Sequence, residues 1–558
     1  MNIIRPILLV TIMFSGSPGL AQDERPNILL IVADDLGYTD IGAYGGEIKT
    51  PNIDELAAQS IKFTNFHVLP TCAPTRAVLL SGTDNHTAGL GSMLPPHILP
   101  ATKGHPGYET YLHERVATMP ELLRDAGYHT YMAGKWHLGK QKGQWPIDRG
   151  FEESFALLIG AGDHFRIGKK QHVKNEDWVE PISEGFYSTK TYTDILIDNI
   201  AEHKDDNRPF FVYAAYTSPH WPLQAPDDYI DRYANVYDRG YDELRSQRLT
   251  RAVQLKVVPK VDPHKNFKRV GLAWDELDLE SQRHYARRME IYAAMVENLD
   301  FHVGRLLAYL ESIGELDQTI ILFMSDNGAE SDELELNPTF ANIISRRGSD
   351  NSMETLGKPG SYIAYGPGWA QASTAPFSRF KGFVNEGGTR VPAFILSGDG
   401  STQFRLDGQY LGAIDVMPTL LELAGVAPAG DIYRGRKVAP IEGRSFASLL
   451  KGDTAAIYDE NHAFVVEVHG GRSVRRGKYK LVWEQPPGNT WWGYPIPEAW
   501  YRWQLFDLDN DPSEANDISK THPELVQELI TVWEKYADEY GVVRDNRISN
   551  FDRWRSRP

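Results

Sequence analysis

The sequence predicts an α/β fold: a large mixed, mostly parallel sheet flanked by helices, followed by a small C-terminal antiparallel sheet carrying one helix. Three observations predict it. Short apolar runs rich in β-branched residues alternate with amphipathic stretches of helical period. Four of those runs end in polar side chains capable of chemistry. Near residue 455 the alternation gives way to short strand-like runs separated by turn residues.

The elements follow in order. Asn27-Ile28-Leu29-Leu30-Ile31-Val32-Ala33 is nearly continuous in apolar character, as suits a strand buried on both faces, and it runs into Asp34-Asp35. Thr50-Pro51 reads as a helix start, with Thr50 at the N-cap and Ile53, Leu56, Ala57 and Ile61 forming an apolar stripe. Pro120 to Ala126 reads as a short helix closed by Gly127, and His129 to Ala133 as the next strand, running into Gly134-Lys135-Trp136-His137. Phe210 to Tyr216 leads into Ser218-Pro219-His220. Tyr292, Met295, Val296, Leu299, Val303, Leu306, Leu307 and Leu310 trace a long amphipathic helix. Thr319 to Met324 follows as a strand and runs into Ser325-Asp326-Asn327-Gly328. Ligands of open α/β sheets bind outside the carboxyl ends of the strands, so Asp34, Asp35, Lys135, His137, His220, Asp326 and Asn327 are expected to converge on one cleft.

The charged stretch 224–279 reads as a helical insertion over the surface. Phe464 to Val468, Tyr479 to Trp483 and Gln504 to Leu508 read as strands, and Pro523 to Tyr540 as a closing helix with Leu525, Leu529, Trp533 and Tyr536 on one face. The expected organisation is an export signal over residues 1–22, a catalytic domain over 23–455 and a small subdomain over 456–558.

The formal net charge of −17 argues against a nucleic-acid partner, which requires a basic face. It leaves room for a small anionic substrate held by a local cluster of Lys and Arg. At the N-terminus, Arg5, the apolar run Ile7 to Phe14 and the small-x-small pattern Gly19-Leu20-Ala21 read as an export signal cleaved near Ala21. A periplasmic or secreted protein is expected, without stable membrane insertion. Export commonly goes with disulfides, yet Cys72 is the only cysteine.

Cys72 opens the segment Cys72-Ala73-Pro74-Thr75-Arg76-Ala77-Val78-Leu79-Leu80-Ser81-Gly82, where Pro74 suits a first helical turn. A helix N-terminus and Arg76 one turn along both favour negative charge at position 72. From the segment alone, an activated thiol or anion site and a free buried cysteine stand level.

Cys-x-Pro-Thr-Arg with a following apolar stretch and Ser81-Gly82 resembles the signature of type I sulfatases. Gly127 to His137 resembles that family's second signature. Ala33-Asp34-Asp35-Leu36-Gly37, Ser218-Pro219-His220-Trp221-Pro222, Ser325-Asp326-Asn327-Gly328, Lys381-Gly382 and Glu386-Gly387-Gly388-Thr389-Arg390 match further motifs in the family's order. The resemblance extends from about Arg25 to the C-terminus and is nearest to bacterial arylsulfatases. Position 73 is Ala where Ser or Thr is common, a departure that Pro74 and Arg76 make tolerable.

The resemblance implies an alkaline phosphatase-like sandwich and the hydrolysis of sulfate monoesters, of arylsulfate type. It implies that a formylglycine-generating maturation enzyme oxidises Cys72 to Cα-formylglycine (3-oxoalanine). Asp34, Asp35, Asp326 and Asn327, with residue 72, would hold one Ca²⁺, Mg²⁺ being the alternative, because an oxygen-only set suits a hard cation. A thiolate is a poor ligand for such an ion, and an aldehyde hydrate supplies a hard oxygen instead. By the same resemblance, the hydrate attacks sulfur to give a covalent sulfate ester, with Asp326 assisting deprotonation and Arg76 holding the hydrate. His220 would protonate the leaving alcohol and contact the substrate, Lys135 and Lys381 would bind sulfate oxygens, and His137 would take the second hydroxyl's proton.

Plainer readings stand beside these. His137 and His220 could be structural, Lys381 a solvated surface lysine, and each Asp a cap or turn former. Trp491, Trp492, Tyr494, Trp500, Tyr501 and Trp503 rim a substrate or pack the small subdomain, the latter favoured. Asp507, Asp509, Asp511 and Asp517 read as turns, since the glycine of a calcium loop is absent. His164, beside Gly162 and Asp163, reads as approaching the cleft without an assigned role. Three other activities compete: a phosphonate monoester or phosphodiester hydrolase of the same superfamily, a non-catalytic binder of sulfated glycans, and a metal-dependent thiol hydrolase.

Overall fold

A computed structural model describes residues 25–260, 267–336, 338–453, 455–484 and 502–544. The expected export signal and Trp491, Trp492, Tyr494, Trp500 and Tyr501 lie outside these residues.

A ten-stranded sheet spans the larger part of the chain. Its strand order is Arg405–Asp407, Ile61–Phe63, Ala393–Ser397, Thr319–Ser325, Asn27–Ala33, Phe210–Ala215, His129–Lys135, Glu153–Leu157, His172–Lys174 and Asp177–Trp178. The central strands from Thr319–Ser325 to Glu153–Leu157 are parallel, and antiparallel pairings begin on either side of them. The sheet is therefore mixed but mostly parallel in its core, as expected. Outer strands such as Arg405-Leu406-Asp407 went unread in the sequence because they are short and carry charge.

The continuous apolar runs are explained by two-sided burial. Leu29, Ile31 and Ala33 face the layer that includes the helices Pro51–Ala58, Ser188–His203 and Leu279–Ser312. Ile28, Leu30 and Val32 face the layer that includes Cys72–Ser81, Met119–Asp125 and Val416–Leu423. Alternate side chains of one strand thus enter two cores, and no position is left for a polar residue.

Local details differ from expectation at helix ends. Pro51 begins its helix, but Thr50 makes no side-chain cap; its Oγ1 accepts from the Gly42 amide at 3.0 Å instead. The short helix is Met119–Asp125, begun by a reciprocal Thr118–Glu121 capping box. The long helix starts earlier than its apolar stripe, at Leu279, where Asp278 accepts from the Ser281 amide at 2.8 Å. In the 224–279 stretch, helices Asp227–Ile230 and Gly240–Gln254 form, the latter packed on the helix Pro367–Ser373.

The C-terminal sheet has four antiparallel strands, Ala463–Val468, Gly471–Arg476, Tyr479–Trp483 and Gln504–Asp507. Gly471–Arg476 was missed because three arginines mask its alternation. Leu529, Trp533 and Ala537 of the helix Pro523–Glu539 cover Val474, Leu481 and Leu505. Trp503 packs its ring against Trp483 and Trp533, at 5.5 and 5.9 Å between centroids. Asp511 and Asp517 accept from nearby backbone amides, as turn residues do.

Candidate active site

Register brings the chemistry to one edge of the sheet. Ala33 pairs with Ser325, Val32 with Ala215, and Ala215 with Gly134, so the strands end side by side. The residues that follow are stitched together: the Asp34 amide donates to Ser218 O at 3.1 Å, the Asp326 amide to Ala33 O at 3.1 Å, and the Asp35 amide to Asp326 Oδ1 at 3.2 Å. Asp35 and His137 both adopt left-handed backbone, with φ of 70° and 55°. Such conformations cost free energy in non-glycine residues and concentrate at functional sites.

Cys72 begins its helix and is only 2% exposed. Its Sγ lies 3.4 Å from His137 Nδ1. One turn along, Arg76 donates through Nε to Asp326 Oδ2 at 2.8 Å and through a terminal nitrogen to Lys135 O at 3.0 Å and the Tyr213 hydroxyl at 3.2 Å. Asp34 lies 3.7 Å away. Burial pushes the Cys72 thiol up, and the nearby lysines do not reverse this. Burial thus works against the activated thiolate that a thiol hydrolase needs.

The two expected lysines are both buried in the cluster. Lys135 Nζ donates to both Asp34 oxygens at 2.7 Å. Lys381 Nζ donates to Asp35 Oδ2 at 2.9 Å and to Glu330 Oε2 at 2.7 Å. Its loop is anchored by amides: Lys381 N donates to Ala329 O at 3.0 Å and Gly382 N to Pro70 O at 2.6 Å, two residues before Cys72. His220 Nε2 lies 3.4 Å from Asp35 Oδ2. Its Nδ1 lies 2.6 Å from Trp221 O, so that nitrogen carries the proton and donates it to the carbonyl. His164 supports this arrangement from behind, with Nε2 3.0 Å from His220 O and Nδ1 2.7 Å from Ser188 Oγ.

Electrostatics separates the groups. Burial, reinforced by Asp326 and Asp35, holds Asp34 well above the ordinary carboxylate range despite Lys135. Burial and the Glu330 charge lift Asp35 to about 6 despite Lys381. Asp326 goes the other way: burial opposes its charge, but Arg76, Lys135 and Lys381 keep it ionised. Burial, with Lys135 or Lys381 close by, depresses both His137 and His220 well below the usual imidazole range.

The residues fit a hard cation. Ligand atoms of Asp34, Cys72 and Asp326 lie within 4.8 Å of one another, as do those of Asp34, Asp35 and His220. Asn327 donates through Nδ2 to Asp35 Oδ1 at 2.6 Å, while its Oδ1 is buried without a hydrogen-bond partner. Crowded carboxylates and an unsatisfied amide oxygen both call for positive charge and oxygen coordination. The Cys72 sulfur is the one donor whose softness does not suit the set.

Every expected site residue is thus in one cluster: Asp34, Asp35, Cys72, Arg76, Lys135, His137, His220, Asp326, Asn327 and Lys381. Sequence reasoning missed Glu330, Tyr213 and the support given by His164. The acidic run Glu330 to Glu333, five residues after the buried strand Thr319–Ser325, was the available signal for Glu330.

A family model described as Sulfatase matches residues 26–426. An uncharacterized sulfatase of Schizosaccharomyces pombe is 41% identical over 540 residues, covering 94% of this chain and 95% of the other. An arylsulfatase of Klebsiella aerogenes is 35% identical over 453 residues, covering 79% and 95%. The solved structure of Ps i-CgsB in complex with k-i-k-neocarrahexaose superposes with a TM-score of 0.64 at 23% identity, covering 95% of this chain and 97% of that one, and shares its alkaline phosphatase-like fold. With the family matched over most of its length and the strand-end cluster in place, the chain belongs to the sulfatase family of sulfuric ester hydrolases.

Proposed function

We propose that the chain is an exported arylsulfatase-type enzyme that uses a Cα-formylglycine made from Cys72. The observation that carries this reading is the position of Cys72: a soft thiol grouped with the Asp34 and Asp326 carboxylates, 3.4 Å from His137 Nδ1. Oxidised and hydrated, residue 72 presents two hard hydroxyls there. The 35% identity to the Klebsiella aerogenes arylsulfatase supports an aryl leaving group. On this reading residues 23–455 carry the chemistry and 456–558 form the smaller unit.

Asp34, Asp35, Asp326 and Asn327, with an oxygen of residue 72, would hold Ca²⁺. When bound, that ion supplies charge that acidifies a hydroxyl and neutralises sulfate oxygens. Arg76, fixed by Asp326 and the Lys135 carbonyl, orients residue 72. Residue 72, once oxidised and hydrated, would supply a hydroxyl as nucleophile toward sulfur while the bond from sulfur to the leaving oxygen breaks, with the ionised Asp326 placed to take that hydroxyl's proton. Lys135 and Lys381 bind the sulfate oxygens. His220 donates from Nε2 to the leaving oxygen; its Nδ1 proton stays on Trp221 O, and the substrate's negative charge between the lysines offsets what depresses this imidazole. His137, kept neutral by burial and with Nδ1 facing residue 72, would accept the remaining hydroxyl proton so that sulfate can leave as the aldehyde re-forms.

Two measurements on the exported protein test this. Peptide mass analysis should find residue 72 as formylglycine, and turnover of nitrophenyl sulfate should exceed that of nitrophenyl phosphate and phosphonate esters. An unmodified thiol throughout, in protein that still binds sulfated glycans, would favour a binder. Faster phosphoester turnover would favour the phosphonate monoester or phosphodiester hydrolase.

A further inference from the structure

Glu330 belongs to no motif invoked above, yet it is buried beside the reacting groups, with 4% of its surface exposed. Its carboxylate is fully subscribed. Oε1 accepts from the Ser331 amide at 2.8 Å and the Asp332 amide at 3.1 Å. Oε2 accepts from Lys381 Nζ at 2.7 Å and from Trp221 Nε1 at 3.2 Å. The two backbone bonds fix the carboxylate, and the fixed carboxylate then holds a lysine on one side and an indole on the other. That indole belongs to the residue after His220, and the two rings are 4.7 Å apart.

Lys381 has a second carboxylate partner, Asp35, at 2.9 Å. The two partners are not equivalent. Asp35 stands in the oxygen cluster that fits a cation, and its oxygens cannot fully serve an ammonium and a divalent ion together. Glu330 contributes no atom to the groups of potential ligands found among the described residues. It is therefore the partner that stays with Lys381 when Asp35 turns to a metal.

We infer that Glu330 is a positioning residue: it fixes the Lys381 ammonium for the sulfate group, ties Trp221 and the neighbouring His220 to the same anchor, and leaves Asp35 free for the cation. The inference rests on the proposed meeting of Lys381 with sulfate. Charge supports it. Burial opposes ionisation of Glu330, but Lys381 and the backbone donors keep the carboxylate below its ordinary range. The neighbouring Asp332, by contrast, is driven well up by burial and by Glu330 itself. A neutral group at 330 would leave Lys381 with Asp35 as its one carboxylate partner among these contacts.

The test is a double-mutant cycle on the full-length, calcium-loaded enzyme, with nitrophenyl sulfate as substrate. Glu330→Gln should lower kcat/KM on the order of 10²-fold, the scale of a misplaced binding group. In a Lys381→Met background the same change should cost almost nothing, because the residue acts through that lysine. Losses that multiply in the double variant, or an unimpaired Glu330→Gln enzyme, overturn the inference. Glu330→Asp keeps the charge and should recover part of the rate, and it serves in place of Glu330→Gln if the latter does not fold. A rate no better than that of Glu330→Gln, in folded protein, counts against positioning by charge. A second readout needs no turnover. Calorimetric titration of the metal-stripped protein with Ca²⁺ should show roughly 10-fold weaker binding in Glu330→Gln, since Lys381 then competes for Asp35. Unchanged affinity refutes that competition. If the wild-type protein hydrolyses no sulfate ester, the function proposed above fails, while the titration still decides the Glu330–Lys381–Asp35 arrangement.

Discussion

Arg76 and Asp326 are both fully buried and depend on each other for charge balance. Replacing Asp326 by Asn leaves a guanidinium in the interior with the Lys135 carbonyl, the Tyr213 hydroxyl and a more distant Asp34 for company. Breaking a buried pair from one side costs about 3–5 kcal/mol. Asp326→Asn should therefore lower the calorimetric melting temperature of the calcium-free protein as well as abolish turnover, whereas a residue with a purely catalytic role would affect turnover alone. At this scale much of the site was legible. Asp34, Asp35, Asp326 and Asn327 stand at the ends of apolar runs, where chemistry of this fold class belongs, and Lys381 was found through its motif although its identity suggested surface. Glu330 was not legible, because a glutamate in an acidic run is usually solvated and nothing local signals that four donors wait for it in the fold.

Strands bring these residues together, and their spacing depends on a close approach. Gly134 precedes Lys135 with φ of 118°, and a Cβ there would lie 1.8 Å from Ala215 O on the neighbouring strand. Gly134→Ala must push apart the His129–Lys135 and Phe210–Ala215 strands, which carry Lys135 and lead to His220. The expected cost is on the order of 3 kcal/mol or more. A fall in the urea midpoint measures it, and a midpoint matching wild type would show that the strands accommodate the methyl. Buried central strands announced themselves in the sequence through uninterrupted hydrophobicity, and the long helix through its period. Three-residue strands such as Ile61–Phe63 and Arg405–Asp407 did not, because three residues are too few for a pattern and their pairing is decided by distant chain. Thr50 shows the same limit at a helix end: its hydroxyl had a better use with Gly42 than with its own helix.

Across the whole molecule, the C-terminal sheet is tied to the catalytic layer by buried charge. Glu386, five residues after Lys381, accepts from Lys480 Nζ at 2.8 Å, and its amide donates to Glu514 Oε2 at 2.9 Å. Lys480→Met should destabilise the protein by about 3 kcal/mol, because Glu514 loses its lysine and faces Glu386, which keeps His67 and Arg390 as partners. Thermal unfolding checks this. A second tie is pH-sensitive. His86 has Nδ1 3.1 Å from Asp84 and Nε2 2.9 Å from Glu467 of the sheet. Burial works against its charge, but these hydrogen bonds and charges win and lift it to about 9. Since the folded value exceeds the unfolded one near 6.5, the stabilisation is complete below about pH 6.5 and is lost as pH rises through about 9. Its size is on the order of 3 kcal/mol. Wild-type stability should fall between pH 7 and 9.5 more steeply than that of His86→Gln; parallel profiles would remove His86 from the account. No such long-range pairing was visible from sequence, since Asp84 and Glu467 are unremarkable until the chain closes.

The burial of residue 72 has a temporal consequence under the proposed chemistry. A side chain with 2% of its surface exposed, at the start of a helix packed into the core, offers no enzyme a handle once the chain has collapsed. On that proposal oxidation and folding would race for the same nascent polypeptide, and the competent fraction of each batch would be set by that race. Molecules that fold first would keep the thiol and stay inert, so specific activity would report the conditions of synthesis as much as the quality of the catalyst.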